Sequence, residues 1–217
     1  SAWFESRGVL LRDFKTGFLP VAGIAALVGI LVMLQPDVGT LAIIGAAVVF
    51  LAYVAGARLT HLLGALNLGA FLIMLLVQGA PYRTARLSAF VHPELDPQGV
   101  GYHINQALLA VGSGGFLGVG FGQSRQKFRY LPEVTGDSIF PVMAEELGFL
   151  ISAAFVILLL AVLWRMFRIA RDAPDGFAQY LTLGIAGWLG IQSFVNIGSM
   201  LGILPLTGLP LPFVSYG

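Results

Sequence analysis

Cysteine is absent from this chain, which removes disulfide scaffolds, thiolate zinc sites and cysteine nucleophiles together. Charge is scarce as well: only 11% of the 217 residues are Asp, Glu, Lys or Arg, against about 25% in an average soluble domain. So few charges do not coat a globule of this size with a solvated surface. The 12 Lys and Arg nearly balance the 11 Asp and Glu, so no basic face is offered to nucleic acid. The 3 histidines, His61, His92 and His103, lack a metal-ligand spacing and read as interfacial or loop residues. What the chain has in abundance is apolar surface, at 57% of its residues. It reads as an all-α polytopic membrane protein.

A membrane span needs about 20 mostly apolar residues. Runs of this kind are Phe18 to Leu34, Val38 to Ala57, Leu62 to Ala80, Ile139 to Trp164 and Phe177 to Val195. The expected organisation is therefore a lead-in at 1–17 on the cytoplasmic side or at the interface, and then three transmembrane helices within 18–80. A large loop at 81–138 carries re-entrant or interfacial helices, and two further spans fall within 139–196. A Pro/Gly loop occupies 197–217, where Pro205, Pro210 and Pro212 prevent a continuous helix. Lys and Arg in short loops set the orientation. Arg7, Arg12 and Lys15, Arg58, and Arg165, Arg168 and Arg171 fall on one side if the spans alternate. That side is predicted to be the cytoplasm, which puts 81–138 outside. Arg83 and Arg86 oppose this orientation, but long loops count for less in the rule.

The span midplanes carry no ionisable residue, where a proton relay or ion carrier places acids or bases. The polar residues gather instead in 81–138. The glycines of Gly112-Ser-Gly-Gly115 and Gly118-Val-Gly-Phe-Gly122 follow no strand, so a dinucleotide fingerprint is discarded. They are predicted to let backbones approach closely or the chain re-enter the bilayer. Lys127, Arg129, Glu133 and Asp137 then crowd the approach to the fourth span, within a stretch from Gln126 to Phe140 that also holds three aromatics. Such a set suits an anionic head group, with basics for phosphate oxygens and a carboxylate for general-base work. Asp137 is the best carboxylate; its residue type and position fit a helix N-cap as well as a base. Glu145 and Glu146 lie deeper, and each fits a buried hydrogen-bonding role or a substrate cavity. Asp37 caps the second span or points into an outer cavity.

The motifs resemble those of the SEDS family of bacterial cell-wall synthesis proteins, the group containing FtsW, RodA and SpoVE. The matching pieces begin with Gln35-Pro-Asp-Val-Gly-Thr40, Asp96-Pro-Gln-Gly-Val-Gly-Tyr102 and Gly112-Ser-Gly-Gly115. Ser124-Arg-Gln-Lys127, Tyr130-Leu-Pro-Glu133, Ala144-Glu-Glu-Leu-Gly148, Asn196-Ile-Gly198 and Leu204 to Gly217 follow in family order. The resemblance implies a ten-span fold, of which this chain looks like spans five to nine with a last span to follow. It implies peptidoglycan glycosyltransferase activity, in which lipid II is polymerised by inverting glycosyl transfer with loss of an undecaprenyl diphosphate. The expected place of work is the outer face of the bacterial cytoplasmic membrane, in cell division or elongation.

The family's essential aspartate matches Asp137, which the resemblance makes the general base. Lys127 and Glu133 occupy motif positions assigned to substrate or diphosphate binding. Arg83 and Arg86 are candidates to neutralise the leaving diphosphate, and a divalent cation (Mg or Mn) there is left open. Asp37 and Ser215 map to motifs lining the family's outer cavity, and Gln106 and Glu145 are further candidates for contact with substrate. The family's partner is a class B penicillin-binding protein, a transpeptidase. The chain departs from the usual Thr-Asp-Phe-Ile-Phe around the aspartate, reading Gly136-Asp-Ser-Ile-Phe140, which bears on how the carboxylate is oriented. A lipid II flippase and a membrane transporter are the competing readings; the uncharged midplanes speak against a polar path through the bilayer.

Overall fold

A computed structural model describes residues 4–5, 13–92, 96 and 98–216, apart from the side chain of Arg129. Arg7 and Arg12 of the orientation argument lie outside the described residues, as do residues 93–95, Pro97 and Gly217. The described elements are helices: α1 (Leu19–Met33), led in by a π-helical turn at Phe14–Phe18, α2 (Val38–Val54), α3 (Leu59–Gln78), α4 (Pro81–Val91), α5 (Val100–Ser113), α6 (Arg125–Arg129), α7 (Ile139–Arg171) and α8 (Gly176–Met200). Four of them are long and apolar enough to cross a membrane: Phe14–Met33 including its lead-in, α3, α7 and α8. The remaining expected span, α2, is a shorter apolar helix of 17 residues, at the lower bound for crossing. The long apolar helices leave large side chains uncovered, such as Leu27, Ile30, Phe71, Met74, Ile157 and Leu158. That is the pattern of helices whose solvent is lipid rather than water.

The chain divides into two compact units, residues 1–76 with 162–191 and residues 77–161 with 192–217. In the first, Val21, Ala52, Ala55 and Leu62 form a small core with Phe4, flanked by Phe18, Val48 and Tyr180. Small residues let the helices close up: a methyl at Gly187 would sit 2.5 Å from the ring of Phe50. The same ring meets Phe167 edge-on at 6.3 Å. Pro36 and Asp37 end α1 and begin α2. The Asp37 carboxylate caps α2 by accepting from the Thr40 N–H at 2.9 Å and from its hydroxyl. His61 is not a loop residue: it lies within α3 and packs against Phe14 and Phe18.

In the second unit Pro81 opens α4 at the position where its missing N–H costs nothing. The Asp96 carboxylate accepts from the N–H groups of Gly99 and Val100 and so starts α5. Gly101, Ile104, Ala107 and Ala110 recur at helical spacing and are buried. They pack, through Ile104 and Ala107, against Leu131, Val142, Met200 and Leu206.

Helix α7 is not one continuous rod. Gly148 has φ 78° and ψ 179°, outside any helix, so the usual bonds from Phe149 to Glu145 and from Leu150 to Glu146 are lost. The glycine loop replaces them. Val119 and Gly120 donate to the Glu145 and Glu146 carbonyls at 2.9 and 3.1 Å, while Phe149 and Leu150 donate to the Gly115 and Phe116 carbonyls at 2.8 and 3.2 Å. All four groups freed by the break are thereby paired, which irregular backbone in a low-dielectric setting requires. The glycines are needed for space: a methyl on Gly118 would lie 2.2 Å from the Glu146 carbonyl oxygen, and one on Gly114 would lie 2.0 Å from that of Ala144. The close backbone approach expected of this loop is present, against a break in α7 that composition alone did not announce.

Gly118→Ala therefore combines a clash with an unfavourable φ of +80°. It is expected to cost about 3 kcal/mol, read as a fall in the thermal unfolding midpoint of the detergent-solubilised protein. Gly23→Ala, with nothing near its Cβ position, is expected to leave that midpoint unchanged or raise it slightly.

Candidate functional site

The second unit holds a cavity of about 490 Å³ whose walls include Arg86, Val100, His103, Glu133, Gly136, Asp137, Leu206, Gly208, Pro210 and Tyr216. Each wall has a local cause. Arg86 and His103 project from α4 and α5. Glu133 opens the turn that leads into α7, with its backbone in the left-handed region at φ 47°. Its carbonyl accepts from the N–H groups of Gly136 and Ser138 at 3.0 and 3.3 Å. That turn delivers Asp137 to the cavity wall one residue before Ser138 and two before α7 begins.

The far wall is the proline-rich segment after α8, and one side chain ties it down. Asn196 is completely buried. Its amide nitrogen donates to the carbonyls of Asp137 at 2.9 Å and Leu209 at 2.7 Å. Gln192 donates to the Pro210 carbonyl at 2.9 Å, and the Tyr216 N–H donates to the Thr135 carbonyl at 2.9 Å. Arg86 reaches the Thr207 carbonyl at 3.5 Å. The chain that proline keeps out of a helix is thus held by side chains from helices that flank the cavity.

Asp137 is buried, with 6% of its surface exposed. Burial pushes its carboxyl above the usual value, against the lowering by the His103 charge and by the Ser138 hydrogen bond; Glu133 nearby pushes it further up. Burial holds the His103 imidazole below its usual value, against the raising by Asp137 and Glu133. A buried acid with a raised pKa in a cavity that also presents a guanidinium is suited to take a proton at neutral pH.

Of the candidate residues, the cavity brings together Asp137, Glu133 and Arg86. Arg83 lies one turn earlier on α4 and donates to the Tyr82 hydroxyl at 2.8 Å. Lys127 sits on α6, 3.7 Å from the Glu146 carboxylate. The Glu145 carboxylate is buried and accepts from the Ser124 hydroxyl and from the N–H groups of Arg125 and Gln126. It anchors the start of α6 and is not among the residues lining the cavity. Gln106 is half-buried on α5, one turn beyond His103. Ser215 uses its oxygen to accept from the Leu211 N–H at 2.8 Å, and its neighbour Tyr216 forms the wall. Asp37 belongs to the first unit, as the cap of α2.

Sequence reading missed His103, which is a cavity residue on α5 and not a loop residue. Its Nε2 lies 2.7 Å from the Ser138 hydroxyl, which donates to Asp137 Oδ1 at 3.2 Å. The available signal was helical: His103 stands three residues after Val100 and four before Ala107, on the buried side of α5. As for a divalent ion, two carboxylates among the described residues line the cavity, those of Glu133 and Asp137. Among the described residues no group of three or more His, Cys, Asp or Glu comes together to hold a metal. Two carboxylates are what a Mg ion shared with substrate phosphates takes from a protein.

An all-helical, multi-pass membrane protein with a buried acid in a loop-walled cavity is the class these observations define. The chain belongs to the FtsW/RodA/SpoVE family, whose model, described as "Cell cycle protein", matches residues 2–217. It is 43% identical over 209 residues to Stage V sporulation protein E of Bacillus subtilis, covering 95% of this chain and 57% of that protein. It is 41% identical over 220 residues to the probable peptidoglycan glycosyltransferase FtsW of Idiomarina loihiensis, covering 100% and 54%. Among solved structures, one described as "Structural coordination of polymerization and crosslinking by a peptidoglycan synthase complex" superposes with a TM-score of 0.73 at 31% identity, covering 94% of this chain and 56% of that one. The rod shape determining protein RodA of Thermus thermophilus gives 0.59 at 27% identity, covering 100% and 56%. The chain thus spans little more than half the length of the relatives it matches.

Asn196→Ala leaves two buried carbonyls without their donor, at about 1–3 kcal/mol each. The expected result is a clear fall in the unfolding midpoint, with protease cutting of the 204–216 segment appearing before global unfolding. Asn196→Asp keeps an oxygen but loses the donor, and is expected to behave like the alanine variant.

Proposed function

We propose that this chain carries the catalytic cavity of a peptidoglycan glycosyltransferase that polymerises lipid II. The observation that carries the reading is the buried Asp137 carboxylate on the wall of a cavity that Arg86 also lines. Family membership and the names of the relatives support it. In the reaction an acceptor sugar hydroxyl attacks the anomeric carbon of the donor from the face opposite the diphosphate. The new oxygen–carbon bond forms as the carbon–oxygen bond to the phosphate breaks, and the undecaprenyl diphosphate leaves with the bonding pair. Asp137 takes the hydroxyl proton. The Arg86 guanidinium offsets the charge that develops on the leaving group, with no step assigned to a metal.

The place of work is the outer face of the bacterial cytoplasmic membrane, supported by the distribution of Lys and Arg between the short loops and the 81–138 segment. The partner is a class B penicillin-binding protein that crosslinks the product. The likeness to a structure described in terms of both polymerisation and crosslinking supports that pairing. Lys127, Arg83, Glu145, Gln106, Asp37 and Ser215 act on substrate, in this reading, only where the intact protein brings them to it.

Asp137→Asn in the intact protein is expected to lower the initial rate of fluorescent lipid II polymerisation by about a thousandfold while leaving the amount extracted from membranes unchanged. Polymer made at the normal rate by that variant contradicts the reading. The base works ionised and its pKa is raised. The rate is therefore expected to fall as pH drops through a value above the 3.8 of an ordinary aspartate. A rate independent of pH down to that ordinary value contradicts the assignment.

A further inference from the structure

Beside the proposed base lies a pair of side chains that the reaction as written leaves unused. Ser138 is fully buried, one residue after Asp137 and against His103. A serine has a single proton to give. Its hydroxyl donates to Asp137 Oδ1 at 3.2 Å, so its oxygen accepts at 2.7 Å from His103 Nε2. With Asp137 ionised, as a general base must be, the imidazole therefore carries its proton on Nε2. The result is a one-way chain from imidazole N–H to hydroxyl to carboxylate, spanning α5 and the start of α7. It exists because serine stands where the usual family stretch has phenylalanine, a residue with no donor for Asp137 and no acceptor for His103. Space is not what decides the other departure: a side chain at Gly136 would meet only ordinary contacts with Glu133, at 3.5 Å or more.

We infer that His103 and Ser138 are positioning residues for Asp137, fixing Oδ1 so that Oδ2 receives the proton of the acceptor hydroxyl. The inference rests on the reading of Asp137 as the general base. Neither side chain is assigned contact with the reacting atoms. Their effect is on the rotamer and the ionisation of the carboxylate. A hydrogen bond to the charged form opposes the rise that burial causes, so the pair favours the ionised carboxylate that can accept a proton. The titratable and charged groups facing Asp137 are His103 from α5, Glu133 from the turn and Arg86 from α4.

The test uses the intact protein with fluorescent lipid II, comparing Ser138→Ala, His103→Leu, their combination and His103→Gln. Misplacing a catalytic group by about 1 Å costs on the order of a hundredfold. Ser138→Ala and His103→Leu are therefore each expected to lose about a hundredfold in kcat, with KM for lipid II unchanged. Because the two act as one chain, the double variant is expected to lose no more than either single one. The acid limb of the pH profile moves upward in Ser138→Ala, since the bond that lowers the Asp137 pKa is gone. His103→Gln, which offers an amide N–H to Ser138 without a titrating ring, restores most of the rate. Ser138→Ala trims one oxygen and serves as the test should His103→Leu not fold. Normal kcat in Ser138→Ala, or a double loss equal to the product of the single losses, overturns the inference. Active Asp137→Asn overturns the base reading itself. Inactive Asp137→Asn beside fully active Ser138→Ala and His103→Leu removes only the positioning role.

Discussion

The cavity depends on one buried amide. Asn196 has no solvent to bond, and it spends both N–H groups on carbonyls of two different segments, those of Asp137 and Leu209. Without that bridge, the turn that presents the acid and the proline-rich segment opposite it are each an irregular stretch of backbone with unpaired oxygens. A buried backbone oxygen left unpaired costs about 1–3 kcal/mol. A single side chain from α8 therefore sets where Asp137 stands, and the Glu133 carbonyl, accepting from Gly136 and Ser138, sets how the turn approaches it.

The same accounting explains the break in α7. Helices cross a bilayer because they satisfy their own backbone, so a break needs a substitute partner for every group it frees. Here the substitute is a loop without side chains in its way. Gly114, Gly118 and Gly148 let two backbones meet at hydrogen-bonding distance. The acids at the break are drawn into the same arrangement. Glu145 holds the start of α6, and Glu146 faces Lys127. This places α6 and its Lys127 by charge and hydrogen bonding, while Arg86, Glu133 and Asp137 line the cavity.

How much of this was legible in the sequence depended on the range of the interaction. The apolar runs named the long helices, because burial in lipid leaves a mark on every residue of a span. Their ends were less plain: α7 runs on to Arg171, beyond the expected end at Trp164, with the Arg168 guanidinium over the Trp164 ring. The proline-rich stretch after Met200 was legible, because proline forbids a helix by itself. Asp137 stood out by type and place, but cap and base were separated only by the family resemblance. The break at Gly148 was not legible, since it is explained by a loop thirty residues away in sequence. Nor was the link from His103 to Ser138, 35 positions apart, which no local pattern announces. Glu145 looked like Glu146 on paper, and only the fold assigned one to the α6 terminus and the other to Lys127.

The central claim is that Asp137 is the group that receives the acceptor's proton. A structure of the intact protein trapped with lipid II and a short glycan acceptor tests it most directly. The account predicts an Asp137 carboxylate oxygen about 2.6–3.2 Å from the attacking hydroxyl, the reach of a general base, with Arg86 toward the diphosphate. An acceptor hydroxyl bound against Glu133 or any other group, with Asp137 turned away from it, contradicts the account.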